Sequence, residues 1–161
     1  MIKQTITDGV KNVADGLIHV YTGGKGSGKT NIVLGLSLRA SGAGLKILFI
    51  QFLTKDREIG ENLCLPDSWC SSYEYYSEQD MKTYHQEIFQ KLLQTVASVE
   101  LNMIILDGIL GNCHKGSFSE KEILKLLEEK NRNTEVILTG TKTSEKIIEK
   151  ADLVTEIQDG S

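Results

Sequence analysis

Short, nearly continuous apolar runs alternate along this chain with longer segments whose apolar residues recur every three or four positions. The runs are GLIHVYT (16–22), KILFIQF (46–52), MIILD (103–107), EVILT (135–139) and LVTEI (153–157). Unbroken apolarity over so few residues marks strands buried on both faces, the habit of parallel sheets. Between them, KTNIVLGLSLRAS (29–41) sets Ile32, Leu36 and Arg39, with Val33 and Leu34, at helical spacing, and GAG (42–44) supplies a stop. The segment 77–99 lines up Met81, Tyr84, Ile88, Leu92 and Val96, which predicts one long helix. SEKE (119–122) fits a capping box opening a helix to about residue 132, and a short helix is expected over about 144–150. Residues 53–72, with the only proline (Pro66) and the only tryptophan (Trp69), read as irregular.

Strands alternating with helices imply right-handed crossovers and a mostly parallel sheet covered by helices on both faces. No repeat, low-complexity tract or linker interrupts the pattern, so residues 1–161 read as a single α/β domain. Composition changes this picture little: 40% hydrophobic and 25% charged residues suit a globular chain. Charge does exclude something. A net charge of -4 and a pI of about 5.4 argue against nonspecific binding to nucleic acid or an anionic membrane. Any anion must therefore be held locally. Cys64, Cys70 and Cys113 form an odd set without CxxC spacing, which reads as reduced thiols. With no leader pattern and no apolar run near the ~20 residues of a membrane span, a cytoplasmic location is expected.

The candidate chemistry lies in TGGKGSGKTN, from Thr22 through Gly23, Gly24, Lys25, Gly26, Ser27, Gly28, Lys29 and Thr30 to Asn31. Gly23-x-x-x-x-Gly28-Lys29-Thr30 matches the P-loop pattern GxxxxGK[ST], and a buried strand before it and a helix after it give the required context. Glycines let successive backbone N–H groups turn toward phosphate oxygens, and the following helix adds its free amides and positive dipole end. Lys29 would carry charge to the terminal phosphates and Thr30 a hydroxyl to Mg²⁺. Asp107, ending the run MIILD, is expected beside Thr30 as the second holder of the metal.

The order of these pieces resembles the ATP:corrinoid adenosyltransferases. The resemblance rests on GLIHVYTG, the glycine loop, GLSLRASGAGLKILFIQF, GEN (60–62), MIILD, EVILTG (135–140) and ADLVTEI (151–157). It runs from about residue 16 to 157 and is weakest over 63–98. It implies a three-layer P-loop fold similar to RecA, a homodimer, and ATP and a corrinoid as the small-molecule partners. The implied reaction is attack by Co(I) of the corrinoid on the 5′ carbon of ATP, with the whole triphosphate expelled. No base is needed for so strong a nucleophile, and no catalytic side chain is assigned.

The chain also departs from that family's pattern. Its loop is one residue longer, with Asn31 where a second threonine is usual; Gly108 follows Asp107 in place of glutamate, and Thr141 stands where arginine is usual. The middle segment lacks the family's Phe-Thr-Trp cluster and offers Trp69, Tyr73, Tyr75 and Tyr76, which as residues in a globular chain read first as packing. An ATP-binding paralogue without transferase activity, or a small P-loop ATPase, therefore stays open as an alternative. Cys113-His114 falls short of the four ligands of a closed zinc site, and His19 and His85 read as packing or surface residues.

Overall fold

A computed structural model describes residues 2–6, 15–52, 72–111 and 116–158. In chain order the elements are β1 (Ile2–Ile6), β2 (Ile18–Gly23), α1 (Lys29–Gly42), β3 (Ile47–Phe52), β4 (Ser72–Tyr76), α2 (Glu78–Thr83), α3 (His85–Val96), β5 (Met103–Leu110), α4 (Glu120–Glu129), β6 (Glu135–Gly140), α5 (Glu145–Lys150) and β7 (Leu153–Ile157). They build one seven-stranded sheet in the order β1-β7-β2-β6-β5-β3-β4. All neighbouring pairs are parallel except β1 with β7, which run antiparallel.

The five apolar runs are strands, as their composition dictates, and β3 is buried at every position. Period-two alternation then divides the core. Leu48, Ile50, Ile104, Leu106, Val136 and Leu138 face one side, where Leu92, Val96, Ile123, Leu126 and Ile147 of the later helices cover them. Phe49, Ile105 and Ile137 face the other, against Val33, Leu34 and Ala40 of α1. Three layers result: α1 on one face and α2 to α5 on the other. Strand β6 lies between β2 and β5, and this order sets the site.

Four expectations need correction. The long helix of 77–99 is two helices, broken at Tyr84, whose backbone (φ -119°, ψ 26°) ends α2 and opens α3. The helix expected to reach about 132 stops at Glu129, where Lys130 turns extended and its ammonium caps the carbonyls of Asn131 and Thr134. Strands β1 and β4 went unrecognised. SYEYY (72–76) lies at the sheet edge, only partly buried, and lacks the apolar density that marks a central strand. Strand β5 does not end at Asp107 but continues to Leu110 with a shift of register against β6 after Leu106. The segments containing GEN (60–62), Cys64, Pro66, Trp69, Cys70, Cys113 and His114 lie outside the described residues. Among the described residues no helix is long and apolar enough to cross a membrane.

Candidate nucleotide and cation site

The glycine loop joins β2 to α1 at the carboxyl end of the parallel strands, where the crevices of open α/β sheets form. Thr22 and Gly23 are its buried end, while Gly24, Lys25 and Gly26 are exposed. Ser27 N–H donates to the Gly24 carbonyl at 3.2 Å and closes the turn. Gly28, at φ +90°, is the residue from which the helix starts, in a left-handed conformation that glycine adopts without steric cost. Gly23 is fixed by crowding instead: a Cβ there would stand 2.7 Å from Ser27 Oγ and 2.8 Å from the Ile157 carbonyl oxygen.

Helix α1 has no side-chain cap and no acid in its first turn. Helices α2, α4 and α5 each begin with a serine (Ser77, Ser119, Ser144) accepting from a backbone amide, followed by acidic residues. At the start of α1, by contrast, neither a serine cap nor a first-turn acid draws on the positive dipole end of the helix. Lys29 bends over the loop, donating to the carbonyls of Gly23 at 2.8 Å and Gly24 at 2.7 Å, with Ser27 Oγ at 3.3 Å. Asn31 is exposed on the first turn.

Thr30 and Asp107 meet as expected. The Thr30 hydroxyl donates to Asp107 Oδ2 at 3.0 Å, with Oδ1 at 3.3 Å. Because β6 intervenes between the two strands, its penultimate residue Thr139 fills the gap and donates to Asp107 Oδ1 at 2.6 Å. Gln51 of β3 donates from the other side, Nε2 to Oδ2 at 3.2 Å, and its Oε1 accepts from the Tyr73 hydroxyl at 2.9 Å. The Thr139 oxygen also accepts from Gly108 N–H at 2.8 Å. A buried carboxylate thus accepts from three uncharged donors.

Gln51 and Thr139 were not singled out from the sequence, and Tyr73 was named there only as an aromatic residue read first as packing. Two of them left a signal: a glutamine inside KILFIQF and a threonine closing EVILT are polar residues at the ends of otherwise apolar strands. Nothing in the sequence marked the hydrogen bond of Tyr73 to Gln51.

Gly108 has φ +84°, and a Cβ there would lie 2.8 Å from the Phe52 carbonyl oxygen. This backbone disfavours a side chain directly after Asp107. Thr141 is exposed, its hydroxyl directed to the Gly111 carbonyl at 3.4 Å.

Beyond β3 a cavity of about 410 Å³ opens at the sheet edge, lined by Tyr75, Tyr76, Asp80, Tyr84, Glu87, Ile88 and Lys91. Asp107, Gln51 and Tyr75 lie abreast in β5, β3 and β4, so about 10 Å of sheet separates the first from the last at ordinary strand spacing. Tyr75 is exposed, Tyr76 stacks on Phe52, and Tyr73 packs against Phe49 and Tyr75. Burial pushes the Tyr76 phenol up, against the hydrogen bond from Lys91. The Glu74 carboxylate, 2.7 Å from Lys91, raises that ammonium in turn.

A glycine loop between strand and helix, facing a strand-borne aspartate across an inserted strand, defines a P-loop protein of the RecA-like α/β class. The flagellar accessory protein FlaH from Methanocaldococcus jannaschii shares this fold, with a TM-score of 0.58 at 14% identity over 89% of this chain and 72% of that one. Residues 14–160 match the family model of ATP:corrinoid adenosyltransferase BtuR/CobO/CobP, and the chain belongs to that family. It is 27% identical to the corrinoid adenosyltransferase of Escherichia coli (strain K12), over 98% of this chain and 85% of the relative. It is 28% identical to that of a Sinorhizobium species, over 89% and 72%.

Proposed function

We propose that the protein transfers the 5′-deoxyadenosyl group of ATP to the Co(I) of a corrinoid and releases triphosphate. The observation that carries this reading is the uncapped start of α1 facing the Thr30–Asp107 pair, in a chain of this family. The loop amides and Lys29 would hold the triphosphate, with Lys29 exchanging the Gly23 and Gly24 carbonyls for phosphate oxygens. Thr30 and Asp107 suit a hard divalent cation: one hydroxyl and one carboxylate 3.0 Å apart, with no cluster of three acidic, histidine or cysteine ligands among the described residues. Mg²⁺ takes such a place when phosphates and water complete its shell, and it supplies positive charge to the leaving triphosphate.

In the reaction a Co–C5′ bond forms as the C5′–O bond breaks, and the oxygen leaves with the electron pair. The protein's part is to align these atoms, stabilise the departing charge and exclude water. The cavity walled by Tyr75, Tyr76 and Tyr84 is the proposed resting place for part of the corrinoid. We also infer a homodimer acting in the cytoplasm, on the family's pattern.

Gly108 favours a second reading, nucleotide binding without transfer, because the backbone disfavours a second carboxylate beside Asp107. The same feature speaks against an ATPase, which needs a group to orient water. One experiment separates these readings. Protein given ATP, Mg²⁺ and reduced cobalamin is expected to yield the adenosylcobalamin spectrum, and Lys29→Ala to abolish it. Calorimetric ATP binding without that spectrum establishes the second reading, and no ATP binding sinks both.

A further inference from the structure

The two oxygens of Asp107 are held by different neighbours. Thr139 donates to Oδ1 at 2.6 Å, Gln51 donates to Oδ2 at 3.2 Å, and the Thr30 hydroxyl lies 3.3 and 3.0 Å from the pair. The flanking donors therefore fix the carboxylate plane with its open edge toward Thr30. Gln51 is fully buried, and burying a primary amide is costly unless its polar atoms are satisfied. Its orientation is determined by its partners. A carboxylate only accepts, so it must face Nε2, and Oε1 is then left toward Tyr73, whose hydroxyl donates to it at 2.9 Å. Bonds in such a chain polarise one another, so the Tyr73 hydroxyl strengthens the grip of the Gln51 amide on Asp107.

We propose that Gln51, supported by Tyr73, is a positioning residue that presets the Asp107 carboxylate for a divalent cation shared with Thr30. The inference rests on the reading of Thr30 and Asp107 as cation ligands, and it extends the working site across β3 to the edge strand β4. Tyr73 acts only through Gln51. Neither residue is assigned a ligand role, so their loss is expected to weaken the cation's contribution and to leave the loop's hold on phosphate intact.

The test is calorimetric titration of the full chain with ATP, in Mg²⁺ and again in EDTA. The readout is the Mg²⁺-dependent gain in affinity. In Gln51→Met, close in volume, the gain is expected to fall about tenfold, the worth of one hydrogen bond to a charged group, with the EDTA affinity unchanged. Tyr73→Phe keeps the ring against Phe49 and Tyr75; it is expected to reduce the gain about threefold, as a neutral hydrogen bond does, and to add nothing in a Gln51→Met background. Equal losses in Mg²⁺ and EDTA, an unchanged gain, or a Tyr73→Phe effect that persists in the double variant would overturn the proposal. If Gln51→Met does not fold, Tyr73→Phe alone decides between the first two of those results and the expected one. Wild-type protein that binds ATP equally well with and without Mg²⁺ overturns the cation reading beneath it, a separate result.

Discussion

Helices α1 and α4 both leave the carboxyl side of the sheet, and their first turns are built in opposite ways. At α4 every local demand is met from within: Ser119 and Glu122 form a reciprocal capping box, and Glu122 also reaches His85 Nε2 at 2.7 Å. The other ring nitrogen of that histidine lies 2.8 Å from the Gly116 carbonyl. At α1 the start is a glycine, no acid follows, and Lys29 bends back onto loop carbonyls. The same contrast holds for the two carboxylates. Glu122 faces an ionisable ring, whereas Asp107 faces two hydroxyls and an amide. Closed polar groups stabilise the fold, and open ones keep their field for something that arrives from outside.

Either helix start can be converted toward the other's type. Gly28→Asp gives α1 the acid that the other helices have, in the cradle itself and at φ +90°. ATP affinity by calorimetry is expected to fall at least about a hundredfold, from lost dipole and amide contacts plus charge repulsion. Ser119→Ala opens the closed end. Urea denaturation should show a loss of about 1 to 2 kcal/mol, the usual cost of a serine cap, with ATP affinity unchanged.

A smaller effect is expected from pH. Burial lowers the His85 value, but the hydrogen bond and charge of Glu122 and the Gly116 carbonyl outweigh it, so the net shift is upward from 6.5. Its stabilisation is full below 6.5 and is lost as pH rises through the folded value. Glu122 is also opposed by burial, yet the Ser119 amide and His85 bring it below 4.5, so its share is full above 4.5 and is lost as pH falls through the folded value. The clasp is in force between those bounds. Denaturation across pH should therefore show His85→Ala closing on wild type by about 0.5 kcal/mol on the alkaline side; a gap that stays constant contradicts the pairing.

The central strands and the glycine loop were legible because each depends on local pattern: apolar runs for β2, β3, β5, β6 and β7, and fixed spacing for Gly23 to Thr30. The Thr30–Asp107 contact followed from the same logic. What escaped depended on neighbours distant in sequence. Strand β4 is a strand because β3 pairs with it, not because SYEYY is apolar. Thr139 matters because β6 is inserted between β2 and β5, an ordering no spacing records. The break at Tyr84 was hidden for another reason, since apolar periodicity runs through α2 and α3 without a phase change visible in the sequence. Gly108 could be seen as a missing carboxylate, but only its backbone angle shows why glycine fits there.

Strand β1 pairs Ile2 with Ile157 and Ile6 with Leu153, joining the two extremes of the described chain. Such a ladder closes the longest loop in the molecule, so its entropy must be met before its hydrogen bonds can form. It should be the last part of the sheet to assemble and the first whose amides exchange with solvent. Because β1 lies outside β7, it also covers a strand edge that would otherwise stand open to another chain.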